Sequence, residues 1–384
     1  MHRKVTSIAL LGLIIFSPLN AFQNTPSSLF VPRPHHEAIN AEKIQERERV
    51  TSLLLASSNN EGAIETRDPT TTSTTLPKLS YERNSETYIW KNPTSSLTHK
   101  INYRAVGSPE DPPLLLVHGF GANVNHFRYN IPALVDAGYY VHAIDLLGFG
   151  GSDKSKEEEY CIELWVDLIC DFIRDRNKDF EKEHKSSVSA DQEQRKWVVC
   201  GNSIGGLCSL GTAKQLPELV KGVTLFNCAG GMTGFRYEEI PLLLKPILVP
   251  LLYFVQKVIF SPTGYGSKFF DDFKTPENVE SILLKQGVYG DVSNVDSELM
   301  QILLEPSEDD GAKEVFLKVF GGPAGPTPEG LLPDIGCPVL ALWGSADPWT
   351  PVDRGMHPGN GLAPYAKGDF DLVVLDGAGH CPHE

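Results

Sequence analysis

Gly201-Asn202-Ser203-Ile204-Gly205 directly follows the apolar run Trp197-Val198-Val199-Cys200. A serine can act as a nucleophile when its hydroxyl stands clear of the backbone at a tight strand-to-helix turn. Glycines two residues before and two after remove side chains that would collide there. Glycine and serine are also ordinary loop residues, so these five alone specify little. The rest of the chain supplies an acid and a base. Asp347 lies in Trp343-Gly344-Ser345-Ala346-Asp347-Pro348, just beyond the apolar Pro338-Val339-Leu340-Ala341-Leu342. His380 lies in Gly377-Ala378-Gly379-His380, after Asp371-Leu372-Val373-Val374-Leu375. Both thus fall on loops that leave short strands. In that chemistry His380 takes the proton from Ser203, while Asp347 orients the imidazole and stabilises its charged form.

Each residue also has a plainer reading. Asp347 beside Pro348 suits the start of a turn, and a lone histidine near a chain end is commonly just exposed. Asp376 competes as the acid, but it sits four residues from His380 on the same loop, a poor place from which to buttress the far ring nitrogen. A tetrahedral intermediate further needs hydrogen-bond donors for its oxyanion. Leu114-Leu115-Leu116-Val117 reads as a buried strand, and the turn His118-Gly119-Phe120-Gly121 after it can aim the Phe120 N–H into the site. The Ile204 N–H, next to the nucleophile, is the second donor. Gly119, Gly121, Gly201 and Gly205 are the glycines that let these backbones approach. His118 is expected to brace its loop rather than transfer protons.

These loops need a sheet to hold them in register. Strands are expected at about 86–91, 99–105, 114–117, 141–144, 197–200, 223–226, 339–342 and 372–375, alternating with helix-length segments. That alternation marks a mostly parallel sheet covered on both faces. Residues 163–174 read as a helix, and 204–213 as the helix whose positive N-terminal end points at the nucleophile. The charged stretch 178–196 reads as a solvated loop. From about 229 to 332 the alternation stops, as expected of a lid over the sheet. Its apolar part, 240–260, is interrupted by Pro241, Lys245, Pro246, Pro250 and Lys257, which opposes a membrane span. It reads as a lid helix packing on its own core, or as a surface that lines a pocket for a long apolar substrate or meets a lipid interface. Gly321 to Pro328 reads as a bent return to the sheet.

Over roughly residue 88 to the end, the chain resembles the α/β-hydrolase superfamily. Carrying the resemblance are His118-Gly119-Phe120-Gly121, Asn125-His126-Phe127-Arg128-Tyr129-Asn130-Ile131-Pro132, the stretch Asp145 to Lys154, Gly201-Asn202-Ser203-Ile204-Gly205-Gly206 and Gly379-His380-Cys381-Pro382-His383. The chain order serine, aspartate, histidine is also that of the superfamily. Together the motifs look most like a plastid and cyanobacterial branch that includes pheophytinase-like proteins. The resemblance implies an α/β-hydrolase fold with an eight-stranded sheet and a helical lid. It also implies a last helix after His380; the sequence stops at Glu384, so either it is a fragment or that C-terminal helix is absent. Relatives such as haloalkane dehalogenases and epoxide hydrolases carry an aspartate at the nucleophile position, so Ser203 argues against both chemistries.

Of the 384 residues, 1–21 read as a signal peptide: Met1-His2-Arg3-Lys4 is basic, Ile8 to Phe16 is almost continuously apolar, and Ala21 is a small residue suited to cleavage. Phe22 resembles the junction in bipartite plastid presequences. Residues 22–80, with Thr70-Thr71-Thr72-Ser73-Thr74-Thr75, have the composition of a disordered transit or linker segment. The mixed charges of 42–49 depart from the acid-poor norm of transit peptides, and an ordinary secretory signal with a flexible stalk is the alternative. Residues 81–384 are the hydrolase domain. A formal charge of −15 argues against nucleic acid as a partner. Seven scattered cysteines, without a Cys-x-x-Cys pair, suit a reduced compartment better than a disulfide framework. No metal-ligand spacing is present, and the chemistry requires no cofactor. The expected activity is hydrolysis of a carboxylic ester of a lipophilic substrate through an acyl-enzyme, with a phytyl ester such as pheophytin as one candidate. A peripheral membrane contact is expected, but no stable protein partner. The alternatives are a general plastid esterase or lipase and a non-catalytic binding protein of this fold.

Overall fold

The computed structural model describes residues 85–183, 195–232, 242, 244–254 and 265–384. The N-terminal stretch read as a signal and transit segment therefore lies outside the described residues, as do the centre of the charged stretch and both ends of the apolar lid segment. Eight strands form one sheet: β1 (Glu86–Lys91), β2 (Thr98–Val106), β3 (Pro113–Val117), β4 (Tyr140–Ile144), β5 (Trp197–Asn202), β6 (Val220–Phe226), β7 (Val339–Gly344) and β8 (Phe370–Leu375). Their order is β1-β2-β4-β3-β5-β6-β7-β8. The β1–β2 and β2–β4 pairs are antiparallel and the rest parallel.

Period-two alternation of side chains explains why these runs are strands. Leu115, Val117, Val199, Leu225 and Ala341 enter one hydrophobic cluster, while Leu114, Leu116, Cys200, Phe226 and Leu342 enter another. The two clusters are the two faces of the sheet. Every residue of β3 is buried, as expected for a central parallel strand covered on both sides. Helix α1 (Asn130–Asp136) contributes Ile131 and Leu134 to one face. Helices α2 (Ile162–Glu183) and α3 (Ile204–Gln215) cover the other, through residues such as Trp165, Phe172, Leu207 and Leu210.

Helix α2 corrects one expectation, because it continues to Glu183 where the charged sequence reads as a loop. Its charges form a solvated helix face, with Lys178–Asp175, Arg176–Asp179 and Lys182–Asp179 paired three residues apart. Asn177 on the opposite face is buried and accepts a 2.9 Å hydrogen bond from Trp197 Nε1.

Between β6 and β7 lie α4 (Lys245–Phe254), α5 (Tyr265–Phe273), α6 (Pro276–Lys285), α7 (Ser297–Leu304) and α8 (Ala312–Gly321). Helices α7 and α8 seat on the loop leaving the carboxyl end of β3. Phe316 and Phe320 of α8 pack against Phe120, tilted and edge to face, with ring centroids 5.5 and 5.0 Å away, and Asn123 donates to Ile302 O at 2.7 Å. In helix α4, with Pro250 inside it, the side chains of Ile247, Tyr253 and Phe254 are exposed, as are those of Leu242 and Leu244 before it. Among the described residues no helix is long and apolar enough to cross a membrane.

Candidate active site

Ser203 sits between the last residue of β5 and the first of α3 with φ 54° and ψ −119°. A non-glycine residue there carries strain of about 1–3 kcal/mol, tolerated when the surroundings enforce it. Two glycines show the enforcement. A Cβ on Gly201 would lie 2.1 Å from Gly205 O, and one on Gly205 would lie 2.3 Å from Val117 O and 2.6 Å from His118 O. Both contacts are with backbone, which cannot swing away. Ser203 N donates to Phe226 O at 3.0 Å, which ties the turn to the neighbouring strand.

The loop after β3 runs against this turn. A Cβ on Gly119 would meet Asn202 Oδ1 at 2.7 Å and Ser203 Cβ at 3.2 Å. Gly121, at φ +72°, supplies the left-handed step that a side chain would resist. Neither the Phe120 N–H nor the Ile204 N–H has an acceptor among the described residues. His118 braces the loop. Its Nδ1 donates to Gly119 O at 2.7 Å, its Nε2 accepts the Leu146 N–H at 3.0 Å, and burial pushes its pKa down, so the ring is neutral with both nitrogens engaged. Asp145 bonds Val124 N, Gly151 N and Asn102 Nδ2, each at 2.7 Å, and so couples this loop to the one after β4.

At the far end of the sheet, His380 Nδ1 donates to Asp347 Oδ2 at 2.8 Å, and both side chains are buried. Asp347 also accepts the Trp349 N–H at 2.7 Å, the Thr350 N–H at 3.1 Å, the Thr350 hydroxyl and the Asn227 amide. Burial opposes its charge, but His380 and these donors outweigh it and hold the carboxyl well below the usual carboxylate range. Asp376, the rival acid, is exposed and accepts from Ser345 Oγ at 3.3 Å. The His380 loop is clamped against its neighbours: a Cβ on Gly344 would lie 2.1 Å from Gly379 O. Asn202 Nδ2 donates to His380 O at 3.1 Å, which sets the histidine backbone beside the residue preceding Ser203. No hydrogen bond joins Ser203 Oγ to His380 among the described residues.

Several participants are not evident from the sequence. Asn227, fully buried after β6, donates to Asp347 and accepts the Gly344 N–H at 2.9 Å. Thr350 supports the same carboxylate. Trp349 lays its ring 4.9 Å from that of His380. A polar residue at the carboxyl end of a buried strand was the available signal for Asn227; nothing local marks the other two. The seven cysteines are free, and among the described residues no group of three or more His, Cys, Asp or Glu could hold a metal ion.

The alpha/beta hydrolase family model matches residues 114–384. Lipase 1 of Psychrobacter immobilis is 31% identical over 180 residues, 45% of this chain and 51% of that protein, so the chain spans about half of that relative's length. Epoxide hydrolase 3 of Xenopus tropicalis is 41% identical over 287 residues, 73% of this chain and 70% of that protein. Among solved structures, a thermophilic esterase from Thermogutta terrifontis superposes with a TM-score of 0.54 at 18% identity, covering 77% of this chain and 92% of that one, a likeness of fold. With the strand order, the turn at Ser203 and a family match over most of its length, the chain belongs to the alpha/beta hydrolase family.

Proposed function

We propose that this hydrolase cleaves carboxylic esters with Ser203 as nucleophile, His380 as general base and Asp347 as the acid that orients it. The observation that carries the reading is the buried 2.8 Å bond from His380 Nδ1 to a carboxylate saturated with donors. It fixes the tautomer that leaves Nε2 free to accept a proton. The Ser203 hydroxyl adds to the ester carbonyl as its proton passes to Nε2, and the tetrahedral oxyanion forms beside the Phe120 and Ile204 N–H groups. The imidazolium then protonates the departing alcohol, which leaves an acyl group on Ser203. Water, deprotonated by His380, releases the acid and restores the serine. The missing Ser203–His380 bond is compatible with this, since such bonds in empty sites are often long and tighten with substrate.

The substrate class is proposed to be lipophilic, with a phytyl ester such as pheophytin or a plastid lipid as the finer candidate. Support comes from the exposed apolar side chains of α4 and from the leader's composition, which suggests a plastid address. A general esterase or lipase is the second reading, favoured by the similarity to Lipase 1. Similarity to Epoxide hydrolase 3 raises epoxide opening, against which a serine at 203 stands. Phytol release from pheophytin by the leader-free protein tests the finer reading: release above a Ser203→Ala control supports it, and none, beside turnover of short acyl esters, favours a general esterase. Fluorophosphonate labelling tests the coarser one, since a purely binding protein of this fold would leave Ser203 unlabelled.

A further inference from the structure

Tyr289 lies between α6 and α7, 4% exposed, in a segment that touches both halves of the site. Its Oη is 2.7 Å from His126 Nε2, and the two rings meet edge to face with centroids 6.1 Å apart. His126 belongs to the loop that starts with Gly119 and Phe120, the oxyanion side. On the other side the same segment bears on the His380 loop. Val288 O accepts the Cys381 N–H at 3.0 Å, and a Cβ on Gly379 would lie 2.4 Å from Gly287 O and 2.5 Å from Val288 O. A Cβ on Gly290 would lie 2.4 Å from Gly377 O. Tyr289 also shares a small apolar cluster with Cys381 and Trp349, and Trp349 packs on the His380 ring.

Backbone contacts this close leave no room for the lid segment to slide along the His380 loop. The oxyanion side is attached to Tyr289 differently, through its hydroxyl on His126 and the edge of its ring; Arg128, two residues on, ties the end of the same loop to Asn294 O at 3.0 Å and Asp296 at 2.8 Å, so the hydroxyl is the polar link nearest the lid residues that brace the His380 loop. Burial holds the phenol protonated and the imidazole neutral, so the bond persists across the working pH range. We propose that Tyr289 is a positioning residue whose hydroxyl pins the oxyanion loop, at His126, to the lid segment that braces the His380 loop. It touches neither substrate nor reacting atoms. Its effect is to keep the base and the oxyanion donors in one register, so that catalytic competence depends on a seated lid. The inference rests on the triad reading of Ser203, Asp347 and His380.

Tyr289→Phe in the full chain keeps the ring and deletes only the hydroxyl. With p-nitrophenyl butyrate, kcat is expected to fall roughly 10- to 100-fold, as for a small misplacement of catalytic groups, while KM stays nearly constant. Fluorophosphonate labelling of Ser203 should slow in parallel, with little change in Tm. His126→Leu should reproduce the fall, and the double variant should add nothing, because either change cuts the same bond. His126→Gln, whose amide reaches the Nε2 position, should recover most of what His126→Leu loses. That pair makes the same comparison from the loop side if Tyr289→Phe folds poorly. A labelled wild type beside an unimpaired Tyr289→Phe, or losses that add in the double variant, overturns the inference alone. A wild type that the probe does not label overturns the triad reading and this inference with it.

Discussion

Replacing Asp347 with asparagine changes one oxygen to an amide nitrogen at the most heavily bonded carboxylate of the site. Oδ1 could remain the acceptor for the Trp349 and Thr350 N–H groups, at 2.7 and 3.1 Å. The nitrogen would then face His380 Nδ1 where Oδ2 now accepts at 2.8 Å. Two donors cannot share that bond, so the imidazole would shift its proton to Nε2 and lose the lone pair that should take the proton of Ser203. The lost charge adds to this. An imidazolium spreads its charge over the ring, so its centre lies about 4 Å from the carboxylate, and at the effective dielectric of protein sites the attraction is about 4 kcal/mol. That is roughly a thousandfold in rate, and the wrong tautomer extends the expected fall in kcat to about 10³–10⁴. KM should stay nearly constant, because the acid acts on the transition state. Steady-state hydrolysis of p-nitrophenyl butyrate, with calorimetry to confirm folding, measures it. An Asp347→Asn enzyme that keeps more than about a tenth of wild-type kcat, a loss under 1.4 kcal/mol, refutes the assignment. The case against it would be complete if Asp376→Asn lost the activity instead.

Two further outcomes follow from packing and burial. Gly205→Ala must displace backbone at Val117 O and His118 O, 2.3 and 2.6 Å from the new carbon, so denaturant unfolding should show a loss of about 1–3 kcal/mol or more, and an unchanged midpoint contradicts the packing. Burial, then Arg195 and Arg176, push His142 down to about 3, whereas an unfolded histidine titrates near 6.5. The unfolded chain therefore binds this proton first: the stability is fully present above about pH 6.5 and is lost as pH falls toward 3, by up to about 1.4 kcal/mol per pH unit. His142→Phe, in a pocket of Tyr103, Tyr140, Phe172 and Trp197, should flatten the fall of Tm between pH 6.5 and 4, and an identical pH profile contradicts the burial argument. His126 and His383 are lowered in the same direction by burial, so part of the slope should remain.

What the sequence disclosed about this site follows from the range over which each constraint acts. The turn at Ser203 is local. Glycines two residues either side meet backbone within the same turn or on the adjoining strand, so the requirement is written within five letters. Strands β3 to β7 are similarly legible, because a parallel strand buried on both faces must be apolar nearly throughout. Asp347 was separable from Asp376 by loop placement alone, and the structure pairs His380 with Asp347. Helix α2 beyond residue 174 was not legible, since many of its charges pair with one another along a solvated face, while the bonds that hold it run to distant residues: Asp175 to Tyr88, Arg176 to Tyr103 and Asn177 to Trp197. Asn227 and Tyr289 were hidden for the same reason on a larger scale: their partners, Asp347 and His126, lie 120 and 163 residues away. The residues proposed to do the chemistry stand at strand ends, where short-range geometry selects their type. Those that hold them in register are chosen by contacts across the fold, where one sequence carries no periodic signal. Activity in such a site should accordingly be most sensitive, outside the proposed triad, at buried polar side chains that bridge distant segments. Asn227 and Tyr289 are two such bridges, one beneath the acid and one between the lid and the oxyanion loop.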